Sequence, residues 1–340
     1  MSAERVTILG HGAMATVTAG LLVENGHAVT MWGAHPASVE RLQRNRDNGR
    51  LLPGARIPDA VRLTADDAEP FAAVTLVVSA IPTQYMRSTW QRLARYLPAD
   101  VPVVSVAKGI EVETLLTPTH VVADVLGDRT PPLAVLSGPN IAAEIIARQP
   151  ATAVAASADA ALGRRVQAAF NAVAFRVYTN PDVVGVELAG AVKNVIALAA
   201  GMLDGIGAGD NAKAALVTRG LVEITRLGVA MGADPGTFTG LAGLGDLITT
   251  CVSPRGRNRS VGEQLARGRP LAAVLESTDS VAEGVPTTRS VVRLARRLGV
   301  EMPITEAVHA VLFEGRDPRA ALADLMSRDP KPERAGNAEC

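Results

Sequence analysis

Four lysines, Lys108, Lys193, Lys213 and Lys331, stand against thirty arginines in this 340-residue chain. Arginine stays charged at any working pH, whereas a buried lysine can give up a proton and act as an acid or a base. Lys108 lies in Ser105-Val106-Ala107-Lys108-Gly109-Ile110-Glu111, directly after an apolar, strand-like run. Lys193 lies in the apolar stretch 183–203, beside Asn194 and among Ala189, Gly190, Ala191, Val192, Ile196 and Ala197. Burial in such surroundings makes the charge costly, so the Lys193 pKa is expected to fall from about 10.4 toward neutrality. Two plainer readings stand beside this one: a core lysine snorkelling to solvent, and a coding bias that depletes lysine throughout. Lys213 follows a glycine-rich loop and has no evident chemistry, so its expected role is structural.

A second constellation lies at the N-terminus. Gly10-His11-Gly12-Ala13-Met14-Ala15 follows the strand-like residues 6–9 and opens a helix. In this Gly-x-Gly-x-x-Ala pattern Gly10 permits the tight turn and Gly12 lets the backbone approach a pyrophosphate. Ala15 keeps helix and strand close, and the helix N-terminus offers N–H groups to the anion. The alternative is an ordinary tight βα turn. No acid stands between Glu24 and Glu40 to hold a ribose 2′-hydroxyl, and Arg41, Arg44, Arg46 and Arg50 follow. That favours NADPH over NADH, although the same arginines suit the solvated face of a helix.

Two further segments carry polar groups suited to a substrate. Asp246 follows Gly240, Gly243 and Gly245, a spacing that brings backbone close to something or merely starts a helix. Arg255-Gly256-Arg257-Asn258-Arg259 offers guanidinium groups that grip phosphate oxygens in pairs, or an exposed basic loop.

These residues need a scaffold. Apolar β-type runs at 6–9, 28–31, 74–79, 101–106, 133–136, 152–156 and 175–178 are separated by helical stretches such as 14–25, 84–96 and 160–171. The pattern predicts an α/β, Rossmann-like, doubly wound parallel sheet covered on both faces. Beyond residue 180 the texture turns helical, at 183–203, 212–231, 261–267, 287–298 and 305–313. We therefore expect a nucleotide-binding domain over 1–180, an all-α domain over 181–326 and a disordered polar tail over 327–340. Net charge is zero and aromatic residues are 3%, which argues against nucleic acid as a partner. Two cysteines, Cys251 and Cys340, make no disulfide framework, and the five histidines lack metal-ligand spacing. The longest apolar run is interrupted by Glu187 and Lys193, and residues 1–5 show no secretory pattern. A cytoplasmic, metal-free protein without membrane spans is expected.

With these pieces in place the chain resembles the bacterial NAD(P)-dependent glycerol-3-phosphate dehydrogenases. The likeness is most specific in Glu187 to Ala197, in Gly240-Leu241-Ala242-Gly243-Leu244-Gly245-Asp246-Leu247, in Arg257-Asn258-Arg259 and in Ala282-Glu283-Gly284-Val285. Ser105 to Glu111 and Leu136-Ser137-Gly138-Pro139 also fit. The resemblance implies a homodimer that reduces dihydroxyacetone phosphate to sn-glycerol 3-phosphate for phospholipid synthesis. It implies that Lys193 donates and accepts the proton, that Lys108 is a second active-site lysine touching substrate and cofactor, and that Asp246 and Thr250 lie near the substrate hydroxyl and Lys193. Gly138, Asn140, Asn194, Gly256, Arg257 and Asn258 are implied substrate contacts. Gly10, Gly12, Ala13, Met14, Ala15, Ala34, Arg50, Lys108, Ala142, Arg257, Val281 and Glu283 are implied cofactor contacts, with NADP preferred and NAD the alternative. The chain departs from the pattern at Ala13-Met14-Ala15, where Ser-Trp-Gly is usual, and at Asn140-Ile141, where Ser or Thr precedes Phe. Ala34 replaces a basic residue often found after the second strand. A ketopantoate-type or β-hydroxyacid reductase, and a cofactor-binding regulator without turnover, are the competing readings.

Overall fold

A computed structural model describes residues 3–278, 281–330 and 332–333. Lys331, Cys340 and most of the expected tail lie outside the described residues. The described parts of the tail, 327–330 and 332–333, have no regular structure.

Eight strands form one sheet: β1 (Arg5–Leu9), β2 (Ala28–Trp32), β3 (Arg62–Thr64), β4 (Leu76–Ser79), β5 (Val103–Ser105), β6 (Leu133–Ser137), β7 (Ala151–Ala156) and β8 (Phe175–Asn180). Their order is β3-β2-β1-β4-β5-β6-β7-β8. Alternate side chains leave opposite faces of a strand. Val6, Ile8, Val78 and Val104 therefore join a core beneath the helices Ala13–Glu24 and Ala160–Phe170. Leu9, Val77 and Val103 pack on the other face against Met86 and Trp90 of Thr83–Leu93 and Val121 and Val122 of Pro118–Leu126. Burial on both faces explains why these strands read as unbroken apolar runs.

The all-parallel expectation needs a correction: β6 and β7 pair antiparallel. The helix between them, Ala142–Ile146, has five residues. That is about 7.5 Å of helix, less than half the roughly 17 Å needed to retrace a five-residue strand. The chain turns back instead, and β7 and β8 form their own parallel pair. The strand order reverses direction between β1 and β4, so a crevice opens at the C-terminal ends of those strands.

After Asn180 every regular element described is helical. Asp182, Asp234 and Asp317 cap three of the helices through side-chain oxygens, and Pro235, Pro303 and Pro318 stand at helix starts, where a missing N–H costs nothing. Val183–Ile206 is long and apolar enough to cross a membrane, with a mean hydropathy of 1.7, but 89% of that window is buried inside the protein. It is the axis of the helical half. Glu187 ties it to the sheet's helices, accepting from Thr119 N–H at 2.8 Å, Thr119 Oγ1 at 2.6 Å and Thr117 Oγ1 at 2.5 Å. Burial pushes the Glu187 pKa up while those three donors oppose it.

The axial helix crosses Arg257–Ala266 at backbone contact. A Cβ on Gly201 would lie 1.8 Å from Arg259 O, and one on Gly262 would lie 2.0 Å from Leu198 O. Gly262→Ala must therefore separate the helix that carries Lys193 from the one that carries Arg257 and Asn258. We expect a loss of roughly 3 kcal/mol, read as a lower urea midpoint at unchanged m-value; an unaltered midpoint would contradict this packing.

Candidate active site

The glycine loop leaves β1 at the crevice. Gly10 has φ +115°, and a Cβ there would lie 2.7 Å from Ala80 O, just beyond β4, so the turn admits no side chain. The helix Ala13–Glu24 has no side-chain cap and no acid in its first turn. Thr16 N–H is the first to reach a carbonyl, that of Gly12 at 3.0 Å, which leaves the N–H groups of Ala13, Met14 and Ala15 directed at the crevice. This arrangement fits a dinucleotide pyrophosphate. Asn48, a buried residue that sequence reasoning missed, holds the loop's shape by donating to His11 O at 3.0 Å and Thr16 Oγ1 at 2.7 Å.

The two conspicuous lysines meet across the crevice on one carboxylate. Lys193 Nζ donates to Asp246 Oδ1 at 2.5 Å and to Thr250 Oγ1 at 2.6 Å. Lys108 Nζ donates to Asp246 Oδ2 at 2.8 Å, Gly138 O at 2.9 Å and Asn140 Oδ1 at 2.9 Å. Side-chain exposures are 7% for Lys193, 15% for Lys108 and 3% for Asp246. Lys108 follows β5 and Gly138 follows β6, so strand ends supply one wall; the axial helix and the start of Asp246–Val252 supply the other. Asp246 is delivered by the π-helical turn Leu241–Gly245. A Cβ at Gly243 would lie 2.1 Å from Phe238 O, so this turn admits only glycine at that position. Burial pushes the Lys193 pKa down to about 8; the Asp246 carboxylate opposes that fall, and the Lys108 ammonium adds to it. Lys193 is thereby an acid that can also act as a base near neutral pH.

Other expected residues fall into two groups. Asn194 lines the lysine pair, but its amide donates to Lys108 O at 3.0 Å and Gly190 O at 3.3 Å. Asn140 Nδ2 is buried without a partner among the described residues, as is Ser137 Oγ three residues before it. Ser137 was not foreseen as a site residue; its hydroxyl lies 2.9 Å from where a Cβ on Gly190 would stand, next to the Lys108 stem. Gly190 is one turn before Lys193 on the axial helix, and its lack of a side chain leaves room for the Ser137 hydroxyl. Asn258 is buried and its Oδ1 accepts Gly284 N–H at 3.0 Å. Glu283 Oε1 accepts Thr83 N–H at 2.7 Å, which clamps the helical half to the nucleotide side, and burial raises its pKa. Arg257 is exposed, with Nη1 on Val281 O at 3.2 Å. Ala34 and Ala142 pack against the two sheet cores.

The basic clusters need pruning. Arg259 turns away from the crevice to Asp204 at 2.6 Å, which also pairs with Lys213. Lys213 is thus structural, and the phosphate cluster shrinks to Arg257 and the exposed Arg255. Among the arginines after β2, Arg46 holds the carbonyls of Val61 and Pro58 and Arg44 lies near Glu40 on the surface. The charges of Arg41 and Arg50 bear on His11.

Residues 5–163 match the N-terminal part, and residues 182–323 the C-terminal part, of the NAD-dependent glycerol-3-phosphate dehydrogenase family. The chain belongs to that family. It is 46% identical over 97% of its length to the glycerol-3-phosphate dehydrogenase [NAD(P)+] of Citrifermentans bemidjiense, covering 99% of that protein. The crystal structure of glycerol-3-phosphate dehydrogenase from Coxiella burnetii superimposes with a TM-score of 0.92 at 34% identity, over 96% of this chain and 99% of that one. A PanE/ApbA family ketopantoate reductase from Ralstonia eutropha gives a TM-score of 0.58 at 18% identity, over 93% of this chain and 99% of that one; it shares the fold alone. The ketopantoate-type alternative is therefore not favoured. As a member of the glycerol-3-phosphate dehydrogenase family, the chain is an oxidoreductase that uses NAD(P).

In this dehydrogenase the Asp246 carboxylate is what keeps Lys193 from falling further below the ordinary lysine range. Asp246→Asn removes that support while Lys108 stays nearby. A limb of the pH dependence that follows Lys193 ionisation should then lie at lower pH than in the parent enzyme. A pH–rate profile of kcat measures this, and an unmoved limb would contradict the coupling.

Proposed function

We propose that the protein catalyses reversible reduction of dihydroxyacetone phosphate to sn-glycerol 3-phosphate with NADPH, and that Lys193 is its proton donor. The observation that carries the reading is the bridge Lys193–Asp246–Lys108 placed beside the glycine loop at the sheet's switch point. Residues 10–15 would hold the pyrophosphate of NADPH, and the cofactor, with its nicotinamide end toward the crevice walls, would supply or accept the hydride. Lys193 Nζ gives its proton to the oxygen that turns from carbonyl to alkoxide, and in the oxidation direction neutral Lys193 takes it back. Asp246 orients both ammonium groups, and Thr250 Oγ1 fixes a second direction of the Lys193 head. Lys108, locked by Gly138 O and Asn140 Oδ1, presents a fixed positive charge to the substrate oxygen without reorganising. Arg257, with the Gly256 backbone and Asn258 beneath it, is placed to receive the phosphate. The cationic corner formed by Arg41 and Arg50 supports NADPH as the preferred cofactor.

Division into a nucleotide domain over 1–180 and a helical domain over 181–326 belongs to the same reading, supported by the change from sheet to helices after Asn180. So do a homodimer, a cytoplasmic setting and a supply of glycerol phosphate to phospholipid synthesis.

Mixing the protein with NADPH and dihydroxyacetone phosphate should consume reduced nicotinamide absorbance. Lys193→Met should lower kcat by about a thousandfold with NADPH still bound. Reduction should weaken as pH rises through about 8, where Lys193 loses its proton, and oxidation of glycerol phosphate should strengthen over the same interval. Turnover retained by Lys193→Met would defeat the proton-transfer assignment.

A further inference from the structure

His11, between the two glycines of the loop, turns its imidazole toward the end of β2. A Cβ on Gly33 would lie 2.7 Å from His11 Nδ1 and 2.7 Å from Val39 Cγ2, so glycine at 33 makes room for the ring. The His11 carbonyl is held by Asn48 Nδ2, which fixes where the side chain starts. The ring is half-buried. The charges that bear on it are those of His35 beyond β2 when that ring is protonated, Arg41 from Pro36–Asn45, and Arg50 from the segment after that helix. Glu40, the acid on that helix, lies on the surface near Arg44. Burial first, then these cations, hold the His11 pKa below its usual value, so the ring is neutral near pH 7. The His11 ring and the basic groups that bear on it thus lie at the end of the second strand, where the adenosine ribose of a dinucleotide bound to such a loop lies.

We infer that His11 is a specificity-determining residue for the cofactor: it takes a proton from solvent and hydrogen-bonds the ribose 2′-phosphate, so NADPH binding is proton-linked and NADH binding is not. The inference rests on the dinucleotide reading given above and deepens it. A phosphate dianion raises the imidazole pKa in the complex. The added affinity is complete below the free protein's His11 pKa and disappears as pH rises through the raised pKa of the complex. The phosphate's own second ionisation, near pH 6, acts in the opposite sense, and it is unchanged when His11 is replaced.

Calorimetric titration of the intact protein with NADPH and with NADH, at pH 6.5 and 8.5 and in two buffers of different ionisation enthalpy, tests this without turnover. The ratio Kd(NADH)/Kd(NADPH) should be about five- to tenfold larger at pH 6.5, since a unit of pKa shift corresponds to a factor of ten. NADPH binding should take up protons and NADH binding should not. His11→Gln, or His11→Asn should the first variant fail to fold, should remove both effects. A ratio constant within twofold, or the same pH dependence in both variants, would overturn the inference while leaving the cofactor reading intact. Failure to bind either dinucleotide would overturn the cofactor reading and this inference with it.

Discussion

One buried carboxylate shared by two ammonium groups organises this molecule. A lone lysine in the position of Lys193 would shed its proton cheaply and serve poorly as an acid; a lysine paired on its own carboxylate would hold the proton too firmly to pass it on. Asp246 avoids both limits because it divides its oxygens, giving Oδ1 to Lys193 and Oδ2 to Lys108. The three groups carry a net positive charge in a nearly closed cleft, a fitting environment for a phosphorylated substrate. Removing one member of such a buried set strands the others.

Much of the fold exists to hold that geometry. Lys108 and Gly138 come from neighbouring strand ends, and Lys193 comes from the axial helix. Contacts between the halves, Glu187 to the Pro118–Leu126 helix, Glu283 to Thr83 and Asn194 to Lys108, set the distance across the cleft. Each is a hydrogen bond to backbone, so it positions the chain and not merely a side chain. The helical half gains its rigidity from glycine-mediated contact, since Gly201 and Gly262 let two helices approach until backbone meets backbone.

The sheet was largely legible because its strands are buried on both faces and therefore read as continuous apolar runs. Three-residue β3 escaped notice because three residues set no period. The antiparallel pairing of β7 depends on the shortness of the preceding helix, which composition does not advertise. At the site, lysine scarcity drew attention to Lys108 and Lys193, and the family likeness drew attention to Asp246. What sequence could not supply was direction. Arg259 and Arg257 are two residues apart, yet one pairs with Asp204 and the other reaches the Val281 carbonyl at the surface. Asn48 carries no local signal, and Ser137 stood only within a quoted motif; each matters through what the fold brings beside it.

The central claim is that Lys193 titrates far below an ordinary lysine because of where it is buried and what it shares. The chain has four lysines, so enrichment with 13Cε-lysine gives a spectrum sparse enough to follow each head group by NMR. One signal, identified by its loss in Lys193→Met, should titrate with a midpoint of about 8. If all four signals instead titrate near the ordinary lysine value of about 10.4, the account of this site is wrong.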